Sequence, residues 1–373
     1  MSEEEEITTL TQPESIDKKE HLAFKLVVFI SLYVLTNYFI LSEIYSFFGF
    51  EVDYFFTVLL VFLSFSYVLG AALLRYFNNL FSLALNVFGS VWLGTMVIAA
   101  FVFIVVELLL FFNLISGEQR LILSFSVIFV LVVFSVLNAL RTTVKIIFIK
   151  NRKVSKPLTI VQISDLHVGA AHTKSFLGRI VRKVNLQKPD VVVITGDLID
   201  GKHKYADGYF NVLNDIKSPV FMVVGNHERM TGMDVVLDLL KDSKVVILRD
   251  ECVVFNGINI LGVDDVDKSV KFIRDFNKVS FDDKLFTVLL YHRPKKFKQV
   301  FKRGVDLMLT GHTHAGQVFP LNLILRFYYK KVQGLKKCGD SYLYVSPGTG
   351  WWGPPMRLGS NNEITVFKID SVD

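Results

Sequence analysis

The sequence predicts an all-α region of four transmembrane helices followed by an α/β domain, and three observations carry this. Of the 373 residues, 51% are apolar and only 20% charged, a balance too apolar for a chain lying wholly in water. Four apolar stretches, 22–41, 54–74, 87–112 and 121–140, precede residue 150, and each approaches the roughly 20 residues a helix needs to cross a bilayer core. From residue 158 onward, short apolar runs (LTIVQI, VVVIT, VFMVV, INILGV, FTVLL, VDLMLT) alternate with longer amphipathic segments, the pattern of strands separated by helices.

The opening stretch, residues 1–21 (MSEEEEITTLTQPESIDKKEH), is acidic and polar. It lacks a cationic n-region with a small-residue cleavage site, so a disordered tail is expected rather than a signal peptide. Residues 22–141 form the expected four-span membrane domain. Lys18 and Lys19 precede the first span, Arg75 sits in the second connection, and Arg141, Lys145, Lys150, Arg152 and Lys153 follow the fourth. The first connection has no Lys or Arg and the third only Arg120. That bias predicts a multi-pass protein of the cell membrane with its N-terminus and its C-terminal α/β domain in the cytoplasm. Glu107, within the third span, is expected to reach water near the outer end.

Residues 142–157 are expected as a basic linker and 158–373 as the α/β domain. Amphipathic segments at 175–186, 206–216, 233–241 and 294–302 separate the runs. The later runs QVFPL, YLYVS and EITVFKI lack intervening helices, which predicts a mixed sheet or a second layer. The net charge of +6 is diluted by acids, so no nucleic-acid partner is expected. Cys252 and Cys338 match no metal-finger or CxxC spacing and read as packed thiols in a reducing compartment.

Chemistry-bearing residues follow the apolar runs in order: QISDLH, ITGDLID, VVGNHE, YHRP and TGHTH. Side chains at the carboxyl ends of parallel strands converge on one sheet edge, where ligands bind in such folds. Asp165, His167, Asp197, Asn226, His227, His292, His312 and His314 are therefore expected together. Imidazole with carboxylate and amide oxygen suits divalent transition metals, and no thiolate points to a closed zinc site. His21, His172 and His203 fall outside this frame and read as surface residues.

The series resembles the calcineurin-like metallophosphoesterase superfamily, whose pattern DxH, GD, GNH(D/E), H, GHxH stands here as Asp165–His167, Gly196–Asp197, Gly225–Glu228, His292 and Gly311–His314. The resemblance covers about residues 158–370 and narrows to a membrane-linked subgroup through GVDD, LRYFNN followed by WLG, and PGTGWWGPPMRLGSNNEIT. It implies a four-layered α/β/β/α sandwich. It also implies two divalent ions (Mn, Fe, Zn or another), one on Asp165, His167, Asp197 and His314, the other on Asp197, Asn226, His292 and His312. Asp197 would bridge them, and His227 would stand beside the scissile phosphate as acid. One departure is Ala315, where many relatives carry glycine.

The expected chemistry is hydrolysis by a metal-bound hydroxide. Arg293 and Arg357 could bind phosphoryl oxygens or form ordinary salt bridges. Trp351 and Trp352 could wall the site, lie at the bilayer surface or pack structurally. The expected substrate is a phosphorylated small molecule or lipid: a phosphodiester or diphosphate, with a tethered phosphomonoesterase or nucleotide hydrolase as the alternative. A non-enzymatic sensor is disfavoured by the intact ligand set. The short basic run after the fourth span would keep the catalytic part close to the bilayer and favour a substrate already there.

Overall fold

The computed structural model describes residues 13–77, 79–169, 172–201, 205–206, 208–266 and 268–372, with side chains at 24 and from 27 onward. Most of the expected tail, and His203 and the side chain of His21, lie outside these. Four long helices come first: α1 (Pro13–Phe48), α2 (Tyr54–Phe77), α3 (Leu80–Phe111) and α4 (Gly117–Ala139). Each contains a segment long and apolar enough to cross a membrane. Helix α1 begins at Pro13, inside the stretch expected as tail. Helices α2 and α3 touch backbone to backbone at Gly70 and Gly89, where an added Cβ would lie 2.5 Å from Asn86 Cα and 2.3 Å from Tyr67 N. Small residues allow this approach, as is usual between helices in lipid. Glu107 meets a cation: Arg120 bonds both Glu107 and Glu43 at 2.5 Å, giving the partly exposed carboxylate a charged partner.

The α/β part runs β1 (Thr142–Lys150), β2 (Leu158–Ile163), α5 (Lys174–Leu186), β3 (Val191–Ile194), a 3₁₀ helix (Tyr209–Asp215), β4 (Val220–Met222), α6 (Asn226–Thr231), α7 (Met233–Leu240) and β5 (Val245–Ile247). It continues with β6 (Glu251–Phe255), β7 (Ile258–Gly262), α8 (Ser269–Lys278), β8 (Phe286–Leu290), α9 (Phe297–Lys302), β9 (Leu307–Thr310), a 3₁₀ turn (His314–Gly316), α10 (Leu321–Tyr328), β10 (Gly334–Cys338), β11 (Ser341–Val345) and β12 (Asn362–Asp370). Two six-stranded mixed sheets result, ordered β1-β12-β2-β3-β4-β5 and β10-β11-β9-β8-β7-β6.

Strands β2, β3, β8 and β9 are buried throughout, as their unbroken apolar runs require of strands covered on both faces. One core lies between the sheets, with Ile160, Val193 and Phe367 facing Ile260, Val288 and Leu309. The outer face of the first sheet packs on α5 and α7 through Ile180, Val184 and Val236. The outer face of the second packs on α8 and α9 through Phe272, Phe276 and Val300. The layers are therefore helix, sheet, sheet, helix.

Two segments depart from expectation. QVFPL makes only one isolated bridge, between Val318 and Leu358, because its apolar side chains pack toward the long helices instead of extending a sheet. Residues 142–150, expected in a basic linker, form β1 at the edge of the first sheet, parallel to β12. The alternation explains it: Ile147 and Ile149 point into the inter-sheet core, while Val144, Ile146 and Phe148 face outward. The C-cap of α4 at Leu140 and Arg141 alone separate α4 from β1, so the span passes into the sheet with almost no slack.

The helices and the α/β part share a buried junction. Val318 and Met356 pack among Met96, Ile98, Val102 and Val106 of α3, the Phe101 and Phe319 rings meet edge to face at 4.8 Å, and Asn362 Nδ2 donates to the Ala139 carbonyl at 2.6 Å. In the intact protein, Ile147→Ala and Ile149→Ala should each lower unfolding stability by about 2–5 kcal/mol, the usual loss for a buried isoleucine. Phe148→Ala should have little effect. Thermal unfolding of the three variants measures this, and equal stability across them would return the segment to a linker.

Candidate metal centre

The carboxyl ends of β2, β3 and β4 in the first sheet and of β8 and β9 in the second lie at the same end of the sandwich. Asp165 and His167 follow β2, Asp197 follows β3, Asn226 and His227 open α6 after β4, His292 follows β8, and His312 and His314 follow β9. All eight expected residues meet there. His167 Nε2 is 3.0 Å from His314 Nε2, and His314 Nε2 is 3.6 Å from Asp165. His292 Nε2 is 3.1 Å from Asn226 Oδ1, 3.1 Å from Asp197 and 3.2 Å from His312 Nδ1. Asp197 lies between the two groups, 3.9 Å from His167 Nε2.

Among the described residues, three sets could hold a metal ion: Asp165, His167 and His314; Asp197, His292 and His312; and His167, Asp197 and His227. The chemistry of the donors fits divalent cations. His292 Nδ1–H donates to the Thr195 carbonyl at 2.8 Å, which turns the lone pair of Nε2 toward the cluster, the orientation a metal-binding imidazole needs. Asp165 and Asp197 are almost fully buried, and their ion-pair partners among the described residues are histidines. Burial would hold His292 neutral, yet the Asp197 and Asp165 carboxylates push it up to about 10. Burial pushes His312 down to about 2. The buried carboxylates thus concentrate negative charge strongly enough to draw a proton onto His292 while His312 stays neutral, a field that favours cations.

Backbone strain marks the same place. Asp165, His167, Asp197, His312, His314 and Ala315 all adopt positive φ, from 45° to 73°, a region that costs non-glycine residues about 1–2 kcal/mol each. The departure at Ala315 therefore has a physical cost, because its φ of 53° suits glycine. Gly311 is required: a Cβ there would fall 2.0 Å from Ser164 Oγ and 2.2 Å from Asp165 Oδ2.

Two carboxylates, given no role from sequence, organise the site. Asp200 accepts from His227 Nδ1 at 2.8 Å. Burial would lower His227, but this bond and the Asp197 charge raise it above its ordinary value. Glu228 is fully buried and accepts from the backbone N–H groups of Asp197, Ile199 and Gly225 at 2.8–2.9 Å. The available signals were the second acid of GDLID and the acid closing GNHE.

Other residues fall differently from expectation. His172 is buried, with 1% exposure; its ring lies 3.9 Å from Trp351 and Nδ1–H donates to the His167 carbonyl at 3.1 Å. Burial lowers it to about 3, so it stays neutral while fixing the loop of a candidate ligand. Trp351 is buried and Trp352 half exposed, its ring 5.8 Å from His227. Arg293 makes a two-pronged bond to Asp265 at 2.6 and 2.9 Å. Arg357 is fully buried rather than at the surface, and donates to the His314 and Gly350 carbonyls and to Asn362 Oδ1. Cys252 and Cys338 are free thiols packed beside the outer core of the second sheet.

Residues 158–316 match the family described as calcineurin-like phosphoesterase. An uncharacterized metallophosphoesterase of Campylobacter jejuni is 38% identical over 264 residues, covering 67% of this chain and 70% of that one. One of Helicobacter pylori strain J99 is 37% identical over 225 residues, 58% of this chain and 61% of that protein. A Bos taurus transmembrane protein with metallophosphoesterase domain is 34% identical over 271 residues, 65% of this chain and 60% of that protein. The matched part is thus about three fifths of the Helicobacter and bovine proteins. The ordered ligand loops, the two-sheet sandwich that aims them at one point and these identities lead to one conclusion: the chain belongs to the calcineurin-like metallophosphoesterases.

Proposed function

We propose that the protein is a dinuclear metal-dependent phosphoesterase that hydrolyses a phosphodiester or diphosphate carried by a membrane amphiphile. One observation carries the choice of substrate. A cavity of about 160 Å³ beside the metal centre is walled on one side by His167, Asp200 and Trp352 and on the other by Tyr67, Leu74 and Asn86 of α2 and α3. A substrate reaching the ligands through this cleft passes between candidate membrane spans and catalytic loops.

In this reading Asp165, His167, Asp197 and His314 hold one ion and Asp197, Asn226, His292 and His312 the other, with Asp197 shared. When bound, the two ions supply Lewis-acid charge and an acidified water for attack on phosphorus. Asp200 holds Nδ1–H of His227, leaving Nε2 directed at the centre, 4.0 Å from Asp197. From there His227 donates a proton to the departing oxygen. Arg293, tied to Asp265, and Arg357, enclosed by carbonyls, act by holding loops in place rather than by binding phosphate. The excess of Lys and Arg at one end of the helices supports a cytoplasmic catalytic part and N-terminus.

Asp197→Ala should empty both metal positions and abolish turnover, whereas His314→Ala should weaken chiefly one; elemental analysis of the purified proteins reads the stoichiometry, and full loading of Asp197→Ala would contradict a shared ligand. His227→Ala should retain metal and lose about 10²–10⁴-fold in rate on a poor leaving group, with a smaller loss for nitrophenolate. Loss of metal instead would make His227 a ligand. For topology, a cysteine replacing Glu51 should react with an impermeant maleimide added to intact cells while one replacing Lys284 should not. The reverse pattern would invert the orientation.

A further inference from the structure

Helix α10 begins and ends on the metal loop. At its start, Gly316 is so close that a Cβ would lie 2.4 Å from Asn322 Cα. Beyond its end, the Tyr329 ring is 6.0 Å from that of His312, and Thr313 Oγ1–H donates to the Val332 carbonyl at 2.6 Å. Between these anchors the helix has no buried residue. Its exposed side chains are large and apolar: Leu321, Leu323, Ile324, Phe327 and Tyr328, with Phe327 at 89% and Tyr328 at 77%. Such a cluster in water would be an aggregation liability, and a contiguous exposed apolar patch marks a surface that something covers.

Its position indicates what that is. Phe319, two residues before α10, packs edge to face on Phe101, within the apolar helix α3 (Leu80–Phe111). The base of the helix therefore lies against an apolar part of a candidate span. Arg326 and Lys330 are exposed on and just after the helix, and Lys331 follows. An apolar face flanked by cations matches the boundary between acyl chains and anionic headgroups, where basic residues contribute about 1 kcal/mol each.

We propose that α10 is an interfacial helix inserted into the same bilayer that holds α1–α4, so that the loop carrying His312 and His314 is seated at the membrane surface. The inference rests on the helix and its neighbours, and holds for any substrate of the metal centre.

The test places a cysteine at Phe327, and separately at Ile324, in the intact protein bearing Cys252→Ala and Cys338→Ala, labels it with an environment-sensitive fluorophore and reconstitutes it in vesicles of phosphatidylcholine and phosphatidylglycerol. The expected result is blue-shifted emission, loss of emission with nitroxide-labelled lipid, and little loss with an aqueous cobalt quencher. A label at Lys284, exposed in the turn before β8, at the end of that strand opposite His292, should behave oppositely. Quenching at both α10 positions by cobalt but not by lipid nitroxide would overturn the proposal. Shielding from both quenchers would also overturn it, by showing a protein surface over the helix. Neither readout depends on turnover, so failure here leaves the phosphoesterase reading untouched.

Discussion

A single buried guanidinium joins the long helices to the candidate metal loop. Arg357 is fully enclosed, and burial lowers it only to about 9, so it remains a cation at neutral pH. Its side chain donates to the His314 and Gly350 carbonyls. Its backbone N–H donates to the Ser135 carbonyl at 2.9 Å, and its own carbonyl accepts from Asn138 Nδ2 at 3.0 Å. Helix α4 is thus one residue from the backbone of a metal-ligand candidate. Removing a partner from a buried charge of this kind typically destabilises by about 3–5 kcal/mol, because the remaining groups have no water to turn to.

A second constraint works from beneath. The carboxylate of Glu228 closes the gap between the β3 and β4 loops by accepting three N–H groups. Those donors belong to the loops that follow β3 and β4, outside the strand ladders that would otherwise satisfy them. Burial raises Glu228, with the Asp197 charge adding to that, and the three donors offset part of the effect. Asp197 is fixed from its own amide while its carboxylate stays turned to the centre and accepts His227 N–H at 2.9 Å.

The strand ends and ligand loops were legible because their information is local: an apolar run, then a polar cluster with glycine, repeated in order. What escaped depends on contacts remote in sequence. Residues 142–150 read as a linker because they lie in the basic run Arg141, Lys145, Lys150, Arg152 and Lys153 and because the partner strand, β12, comes at the other end of the domain. In the sequence AAHTK, His172 looks exposed, and the packing of Trp351 and Phe176 on its ring buries it. Arg357 sits in a glycine- and proline-rich tail that suggests a surface loop, yet that tail fills the junction between α4 and the metal loop. Helix α10 follows QVFPL, whose apolar character suggested a strand; those residues instead pack against α3.

These remote contacts have a common function in the site. Six consecutive or neighbouring positions around the centre are held at positive φ, and strain of that kind persists only where the surroundings over-determine the backbone. The loop carrying His312 and His314 is gripped on three sides: by Arg357 on the His314 carbonyl, by Asn322 against Gly316, and by Val332 on Thr313. The first grip leads to α4 and the other two bracket α10. Of these grips Arg357 also bonds α4, so the strained backbone of the candidate metal loop is tied directly to the long helices. His314, whose carbonyl accepts the Arg357 bond, has its ring 3.0 Å from His167, a residue lining the cleft beside α2 and α3.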